Sequence, residues 1–378
     1  MNITKIPVAY KLTNNSAIIW WETDSNNTAG HGVNVATPGT SESFIAATST
    51  VVSEVAGQPR STHYVQLNDL PENTMFTFRV VGPGFLAATQ RSYTTHGSTT
   101  DLVLGVLNSP EGFFSSSYPQ LQHTIEEMGE VGMYLSCGGI AKRWGNQSYE
   151  DWAAWYTAIS ASILDKGMLA AKGDDDYGVI ANAMFPSSTR SYYAESIGRA
   201  RIVVLDTTSS GRPSLTNVQR DWAINEFNST AWKSASYRII LGHNPFRVSL
   251  WDQSKSFGNG TGTDRFLLTN LYPLVKQSGA DLALFGQAHS YQRGAIESIY
   301  PDNEGQITYH LVCGGISPAH TVKAWTWGIS DPPGIIIDSS DHHFVTISMT
   351  AEAMTVVCKN TSTGNEIDSF AVTPHTLF

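Results

Sequence analysis

Hydrophobic and polar residues follow two different patterns along this 378-residue chain. Up to about residue 98, short segments alternate between apolar and polar positions, as in Phe76–Val81 (FTFRVV). Turn residues such as Asn14–Asn15 and Pro71–Asn73 separate these segments. A period of two predicts half-buried strands, and turns about every ten residues are typical of a β-sandwich. We therefore predict a seven-stranded sandwich over residues 1–98.

The pattern changes after a short polar joint at Gly97–Thr100. Leu102–Leu107 (LVLGVL) is a continuous apolar run of the kind that forms a strand buried on both faces. Further apolar runs alternate with stretches of helical spacing, and after about residue 306 strands follow one another without helices. The strands are predicted at Leu102–Leu107, Val131–Ser136, Ala200–Leu205, Arg238–Leu241 and Asp281–Phe285, and the helices at Tyr118–Gly129, Ser148–Lys166, Thr216–Phe227 and Phe266–Ser278. This order predicts an α/β layered sandwich over residues 99–378.

Charge and hydropathy exclude two classes of partner. The chain has 33 Asp and Glu against 23 Lys and Arg, which gives a formal net charge of -10. A field of that sign repels phosphate backbones and anionic membranes, so we expect no nucleic-acid partner. No apolar run approaches the roughly 18 residues that a membrane-spanning helix requires.

The compartment is predicted from sequons and surface composition. Met1–Lys5 contains no basic segment followed by an apolar core, so no signal peptide is visible in this numbering. A polar surface with few Lys nevertheless favours a secreted protein whose leader was removed or is not part of this sequence. N-glycans are predicted at N-x-S/T sequons, which begin at Asn2, Asn14, Asn26, Asn146, Asn228, Asn259 and Asn360. Three cysteines (Cys137, Cys313 and Cys358) are interpreted as buried thiols. The alternative is that two of them form a disulfide and the third stays free.

Five loops after predicted strands carry residues able to do chemistry. Open α/β sheets place their active sites at such strand ends. The loops are Leu107–Ser109, Cys137–Lys142, Lys172–Tyr177, Ile240–Pro245 and Phe285–Arg293. A lone His after a strand is more often a structural residue, and an Asp triplet is more often a solvated turn. The order of the five loops together is therefore the informative signal.

That order resembles the calcineurin-like metallophosphoesterases, and in particular the purple acid phosphatases. Their blocks are a strand ending in GD, then GDxxY, GNH[DE], a His before Pro, and GHxH followed by xYxR. Ser61–Gly82 is similar to the closing strands of their N-terminal domain. The resemblance implies an α/β (α+β) fold with a fibronectin-III-like β-sandwich at residues 1–98 and a two-sheet αββα metallophosphoesterase sandwich at 99–378.

The residues that bind metal and substrate in that family are mostly replaced here. The family holds two metals with Asp, Asp, Tyr, Asn and three His. Asn108 stands at the first Asp, Gly139 at the bridging Asp and Lys142 at the Tyr. Gln287 stands at the first His of GHxH, and Asp175 at the GNH histidine that contacts substrate. The resemblance therefore implies a vestigial site.

Three ligand positions keep a donor, namely Asp174, His243 and His289. Two dications about 3.7 Å apart repel by about 18 kcal/mol at an effective dielectric near 20, and only anionic ligands offset such a term. The matching charges sum to zero because Asp174 and Lys142 cancel. We expect no dinuclear centre and no cofactor; the alternative is one divalent metal ion held by the three retained residues.

Three functional interpretations follow. The first is a catalytically degenerate relative of the family that acts as a binding, structural or self-assembling protein. In this interpretation the chain forms a homo-oligomer or a larger assembly. The alternative is a mononuclear metal-dependent phosphoesterase using Asp174, His243, Gln287 and His289. The third is a Ca²⁺ site on a surface loop formed by Asp174–Asp176.

Two further expectations concern residues that the family motif retains. With no phosphate to hold, Arg293 is expected to pair with a nearby carboxylate or carbonyl. Gly173, Gly242 and Gly286 are expected where a sharp turn leaves no room for a Cβ atom.

Overall fold

The structure is a computed structural model that describes residues 1–375 in twelve segments. The gaps between these segments are 56–57, 85–88, 108–116, 141–148, 164–165, 175, 177–190, 210–211, 247–262, 302–305 and 317–334. Over the described residues the protein is mixed α+β and consists mainly of sheets.

Eight strands form two antiparallel sheets in the N-terminal region. They are β1 (Ile3–Leu12), β2 (Ala17–Thr23), β3 (Gly32–Ala36), β4 (Ser43–Ala46), β5 (Thr48–Val55), β6 (Gln58–Leu67), β7 (Met75–Val81) and β8 (Arg91–Thr94). The sheet orders are β1-β2-β6-β5 and β4-β3-β7-β8. Trp21, Phe76 and Phe78 lie in the buried cluster between them. The described residues before 98 contain no helix.

The expected count of seven strands is wrong because one extended segment belongs to both sheets. β4 pairs with β3, while β5 pairs with β6 in the other sheet. Only Ala47 separates the two strands, and its N–H donates to the carbonyl of His31 at 2.9 Å. Both edges on this side of the sandwich therefore come from one stretch of chain.

Two larger sheets follow. A six-stranded sheet has the order β11-β10-β9-β21-β22-β23, and a seven-stranded sheet has the order β12-β13-β16-β17-β19-β18-β20. The strands are β9 (Leu102–Leu107), β10 (Met133–Ser136), β11 (Met168–Ala170), β12 (Tyr193–Ile197), β13 (Ala200–Val204), β14 (Thr208–Ser209), β15 (Arg212–Pro213), β16 (Tyr237–Leu241), β17 (Leu282–Phe285), β18 (Tyr291–Glu297), β19 (Ile307–Cys313), β20 (Ile335–Ser339), β21 (His343–Met349), β22 (Met354–Asn360) and β23 (Glu366–Val372). β14 and β15 form a separate two-stranded sheet.

Five described helices pack against the two larger sheets. They are α1 (Ser117–Met128), α2 (Tyr149–Ile163), α3 (Asn217–Phe227), α4 (Thr230–Lys233) and α5 (Thr263–Lys276). Apolar residues of both sheets share one buried cluster. Residues of α1 and α2 share a second cluster with the six-stranded sheet, and residues of α3, α4 and α5 share a third with the seven-stranded sheet. No helix in the described segments is long and apolar enough to cross a membrane.

The three cysteines are free and buried. Burial raises the pKa of the thiols of Cys137, Cys313 and Cys358 above the ordinary value. A high pKa leaves little thiolate, so these thiols are inert core residues. The interpretation as buried thiols is confirmed.

A buried amide joins the N-terminal sheets to the rest of the chain. Asn14 Nδ2 donates to the carbonyl of Gly198 at 3.2 Å, and the N–H of Gly198 donates to Asn14 Oδ1 at 2.8 Å. The backbone N–H of Asn14 also donates to the carbonyl of Ser196 at 3.0 Å. The Asn14 side chain is thus used on both its donor and its acceptor side.

This burial predicts that Asn14 carries no glycan although it begins a sequon. Asn14 is 4% exposed, and a sugar on Nδ2 would break its contacts with Gly198. Asn26 and Asn228 are exposed, although Nδ2 of Asn228 donates to the carbonyl of Ile224 at 2.9 Å. In a eukaryotic secretory host, glycopeptide mass spectrometry is expected to find Asn26 and Asn228 modified and Asn14 bare. A fully glycosylated Asn14 in folded protein would contradict this arrangement.

Candidate functional site

The candidate site lies where parallel strands of the two larger sheets end. β10 runs parallel to β11 in one sheet, and β16 runs parallel to β17 in the other. The loops after these four strands carry Gly139, Asp174, His243 and Gln287. Because the carboxyl ends of parallel strands meet at one edge, all four loops converge. The hydrogen bonds between them show that they do.

His243 and Gln287 both form hydrogen bonds with Asp174. His243 Nδ1 lies 2.8 Å from the carbonyl of Cys137, and since a carbonyl only accepts, Nδ1 carries a hydrogen. His243 Nε2 lies 3.1 Å from Asp174 Oδ1, so a second proton lies between these two atoms. Gln287 Nε2 donates to Asp174 Oδ2 at 3.0 Å. Both oxygens of this carboxylate are therefore engaged by protein groups.

Asp176 ties two of the loops together. Its carboxylate accepts the backbone N–H groups of Gly139 at 2.9 Å, Ile140 at 3.0 Å and Gly173 at 2.8 Å. The side chain is fully buried, and hydrogen bonds to a charged acceptor are among the stronger ones in proteins. Asp176 thus holds the loop after β10 against the loop after β11. The sequence interpretation assigned it no such role, although its place in the Gly-bounded Asp triplet was visible.

Close backbone contact explains the glycines of these loops. A Cβ on Gly173 would lie 2.0 Å from the backbone N of Gly139, which is closer than any real contact. A Cβ would lie 2.9 Å from the Phe285 ring at Gly242, and 3.0 Å from a carbonyl oxygen at Gly286. The expectation that these positions lack room for a Cβ is confirmed.

The loop after β17 adopts a costly backbone conformation. Gln287 and His289 have φ angles of 66° and 46°, in the left-handed region that side chains other than glycine rarely occupy. Each such residue costs on the order of 1–3 kcal/mol and persists only where its surroundings impose it. Gln287 Oε1 is also buried, and none of the described residues forms a hydrogen bond with it. The loop is therefore held in a shape that local preferences alone would not choose.

Thr207 positions the His243 loop. Its hydroxyl accepts the backbone N–H of His243 at 3.2 Å and that of Asn244 at 2.7 Å. The neighbouring Asp206 is largely buried, and burial raises the pKa of its carboxyl, although the Ser191 hydroxyl donates to it.

Arg293 is engaged away from the site, as expected. Its Nε donates to Asp368 Oδ2 at 2.7 Å, and a terminal nitrogen donates to Oδ1 at 3.0 Å. The Tyr291 hydroxyl donates to the same carboxylate at 2.7 Å. Since Asp368 lies on β23 and Arg293 on β18, this group links the two larger sheets. The expected pairing with a carboxylate is confirmed.

The described residues do not fit a pair of metal ions. In the family that the sequence resembles a carboxylate bridges the two metals, and Gly139 has no side chain to supply one. Within the described segments, no three His, Cys, Asp or Glu side chains are grouped so that they could hold an ion. Asn108, Lys142 and Asp175 lie outside the described residues.

The Asp triplet also differs from a surface Ca²⁺ loop. Asp174 is 7% exposed and Asp176 is fully buried. The oxygens of Asp176 already accept three backbone N–H groups. A calcium site of six or more oxygen ligands on an exposed loop would need these carboxylates turned outward.

Comparison with known proteins identifies a structural neighbour but no family. No protein-family model and no curated protein matches the chain. Among solved structures, the chain is similar to "GAP50 the anchor in the inner membrane complex of Plasmodium", with 16% identity, a TM-score of 0.50, and coverage of 73% of this chain and 90% of that one. A sensor domain of the anti-sigma factor RsgI4 in Pseudobacteroides cellulosolvens matches 25% of this chain and 75% of that one at 14% identity, with a TM-score of 0.19. At 16% identity, the similarity to GAP50 indicates a shared fold and does not indicate a shared function.

Proposed function

We propose that the chain is a purple-acid-phosphatase-like protein that has lost its dinuclear metal centre and acts as a secreted binding, structural or self-assembling protein. In this proposal the N-terminal sheets are a fibronectin-III-like domain and the larger sheets a metallophosphoesterase sandwich. One observation carries the proposal. The bridging position holds Gly139, and the retained carboxylate of Asp174 is engaged on both oxygens by His243 and Gln287.

Electrostatics supports the loss of the metal pair. Two dications at the spacing of such centres require several anionic ligands to offset a repulsion of about 18 kcal/mol. The described site offers the carboxylate of Asp174, while that of Asp176 is occupied by backbone N–H groups. The hydrogen bond from His243 to Asp174 gives this carboxylate a protein partner in place of a metal ion.

The structural neighbour supports a role outside catalysis. GAP50 is described as the anchor in an inner membrane complex. An anchor binds its partners through its surface. If this chain functions in that way, its function does not require metal ligands at the strand-end site. We extend only this general role, binding or assembly, to the present chain.

A mononuclear metal-dependent phosphoesterase is the second candidate function. His243 Nε2 and Asp174 Oδ1 lie 3.1 Å apart, and one divalent ion can displace the proton that they share. Such an ion would supply a Lewis acid for a phosphoryl oxygen. The residues that would hold it are Asp174 and His243. His289, the third ligand expected from the family resemblance, would have to move toward them, because no three such side chains are grouped in the described segments.

Metal analysis and a phosphatase assay test both candidates. The wild-type protein, incubated with Zn²⁺, Fe³⁺ or Mn²⁺ and desalted, is expected to retain no stoichiometric metal and to leave p-nitrophenyl phosphate unhydrolysed. One retained equivalent with activity lost in His243→Ala would establish the second candidate. Two retained equivalents would overturn both.

Restoring the family's ligands together is expected to recover metal binding. The combined variant is Asn108→Asp, Gly139→Asp, Lys142→Tyr, Asp174→Asn, Asp175→His and Gln287→His. Gly139→Asp alone is expected to bind nothing, because one carboxylate cannot offset the repulsion and position 139 has a φ of 70° that strains any side chain. The matched control is the combined variant with Gly139 retained. Equal metal content in both combined variants would show that the missing bridge is not the cause.

A further inference from the structure

An uncharged edge segment runs along one side of the N-terminal sandwich. The edge segment, Ser43–Val52 (SFIAATSTVV), contains no charge, no Pro and no Gly. It supplies β4 and the first residues of β5, and these are the outermost strands of their sheets. Phe44 is 56% exposed and Val51 is 47% exposed. The segment thus presents two strand edges and two apolar side chains to its surroundings.

The edge segment lacks the usual protection against pairing. Natural proteins blunt exposed edges with Lys, Pro, inward charges or bulges. In β5 the register with β6 is regular from Thr48 to Val52, and its irregularity comes only between Val52 and Val55. An extended strand of another chain can therefore add to this edge by main-chain hydrogen bonds.

The charge distribution favours a second copy of this chain as that strand. Residues 1–98 carry five Lys or Arg and six Asp or Glu, whereas the rest carries 18 and 27. Two copies that approach through the larger sheets repel each other, while two that approach through the sandwich meet nearly neutral surfaces. The edge segment has no charge of its own, so antiparallel pairing with its copy sets no like charges opposite each other.

We propose that Thr48–Val52 of β5 in one chain pairs antiparallel with the same residues of a second chain about a two-fold axis, joining one sheet of each sandwich into a continuous eight-stranded sheet. An antiparallel strand edge is self-complementary, as a two-fold interface requires. This dimer rests on the self-assembling role proposed above and gives it a surface, but it does not depend on the state of the strand-end site.

A lysine on the edge tests the dimer. Val51→Lys places one charge from each chain at the contact, and like charges brought together there weaken association. Val218→Lys is the matched control, since Val218 is 71% exposed on α3. By sedimentation equilibrium over a concentration series, wild type and Val218→Lys are expected to dimerise with the same Kd, and Val51→Lys with a Kd raised by about tenfold or more.

Two further measurements keep the test decisive. Urea unfolding of Val51→Lys at low concentration checks that the sandwich is still folded. Hydrogen exchange of wild type is expected to slow at Thr48–Val52 as concentration rises. A wild-type protein that is monomeric at every concentration, or an equal loss of association in Val218→Lys, would overturn the proposal.

Discussion

Asp176→Asn is expected to lower the free energy of unfolding by about 3 kcal/mol or more, because each hydrogen bond to a charged group contributes about 1.5–3 kcal/mol. The wild-type carboxylate is fully buried and accepts three backbone N–H groups from two loops. An Asn side chain keeps one acceptor oxygen and turns an NH₂ group toward a backbone N–H. The NH₂ group of Asn and the backbone N–H are both donors, so at least one of them is left buried without an acceptor. Urea unfolding followed by tryptophan fluorescence measures the difference.

Asp221→Asn is the matched control for this substitution. Asp221 lies on α3 with 69% of its side chain exposed, and its partner is the adjacent Arg220 at 3.8 Å. Exposed pairs of this kind contribute about 0–1 kcal/mol, so the control is expected to unfold close to wild type. A loss below about 1 kcal/mol in Asp176→Asn, on the same scale as surface substitutions, would mean that Asp176 does not hold the two loops.

Acidification from pH 7 to pH 5 is expected to destabilise the protein through three buried histidines. Burial lowers the pKa of His63 to about 3, and it lowers the pKa of His96 and of His343 to about 4. In the unfolded chain these side chains bind a proton near pH 6.5. Below that pH the unfolded state holds more protons than the folded one, so stability falls as pH falls. At pH 5 each histidine contributes a loss of about 2 kcal/mol, about 6 kcal/mol together.

The surroundings of His63 explain why it resists protonation. Its ring stacks on that of His31 with centroids 3.9 Å apart, so a charge on one opposes a charge on the other. Thr23 Oγ1 lies 3.0 Å from Nε2, and Ser49 Oγ lies 2.7 Å from Nδ1. The neutral ring can satisfy both contacts, because a hydroxyl can donate or accept.

Glutamine variants test the assignment of this pH dependence. His63→Gln and His343→Gln are each expected to remove about 2 kcal/mol from the difference between unfolding free energies at pH 7 and pH 5. His123→Gln, at an exposed position of α1, is the control and is expected to leave the difference unchanged. Unfolding free energies of wild type that agree at the two pH values would refute the prediction.

Most strands and helices could be predicted from the sequence, because their signal is local. α3 was expected at Thr216–Phe227 and is observed at Asn217–Phe227, with Thr216 as its N-cap. The expected helix at Phe266–Ser278 is α5, shifted to Thr263–Lys276. Hydrophobic periodicity sets such elements within a few residues, while caps and neighbouring turns set their ends.

The division of the edge segment between two sheets could not be predicted in this way. Alternation of apolar and polar residues reports which positions are buried, but not which strand lies beside them. Ala47 marks the change of sheet only because His31 and Gly32, more than ten residues away, offer partners to Ala47 and Ala46.

The positions of the candidate site were determined by the sequence, since the order of loops after strands is a property of the chain. Gly139, Asp174, His243 and Gln287 were named from that order, and in the structure hydrogen bonds connect their loops. What these residues do there was decided by the tertiary structure. A carboxylate accepts hydrogen bonds from whichever donors the fold places beside it. Asp174 therefore forms hydrogen bonds with His243 and Gln287, while Asp176 accepts from backbone N–H groups of two loops. Those donors come from residues up to 113 positions apart, and only folding brings them within hydrogen-bond distance.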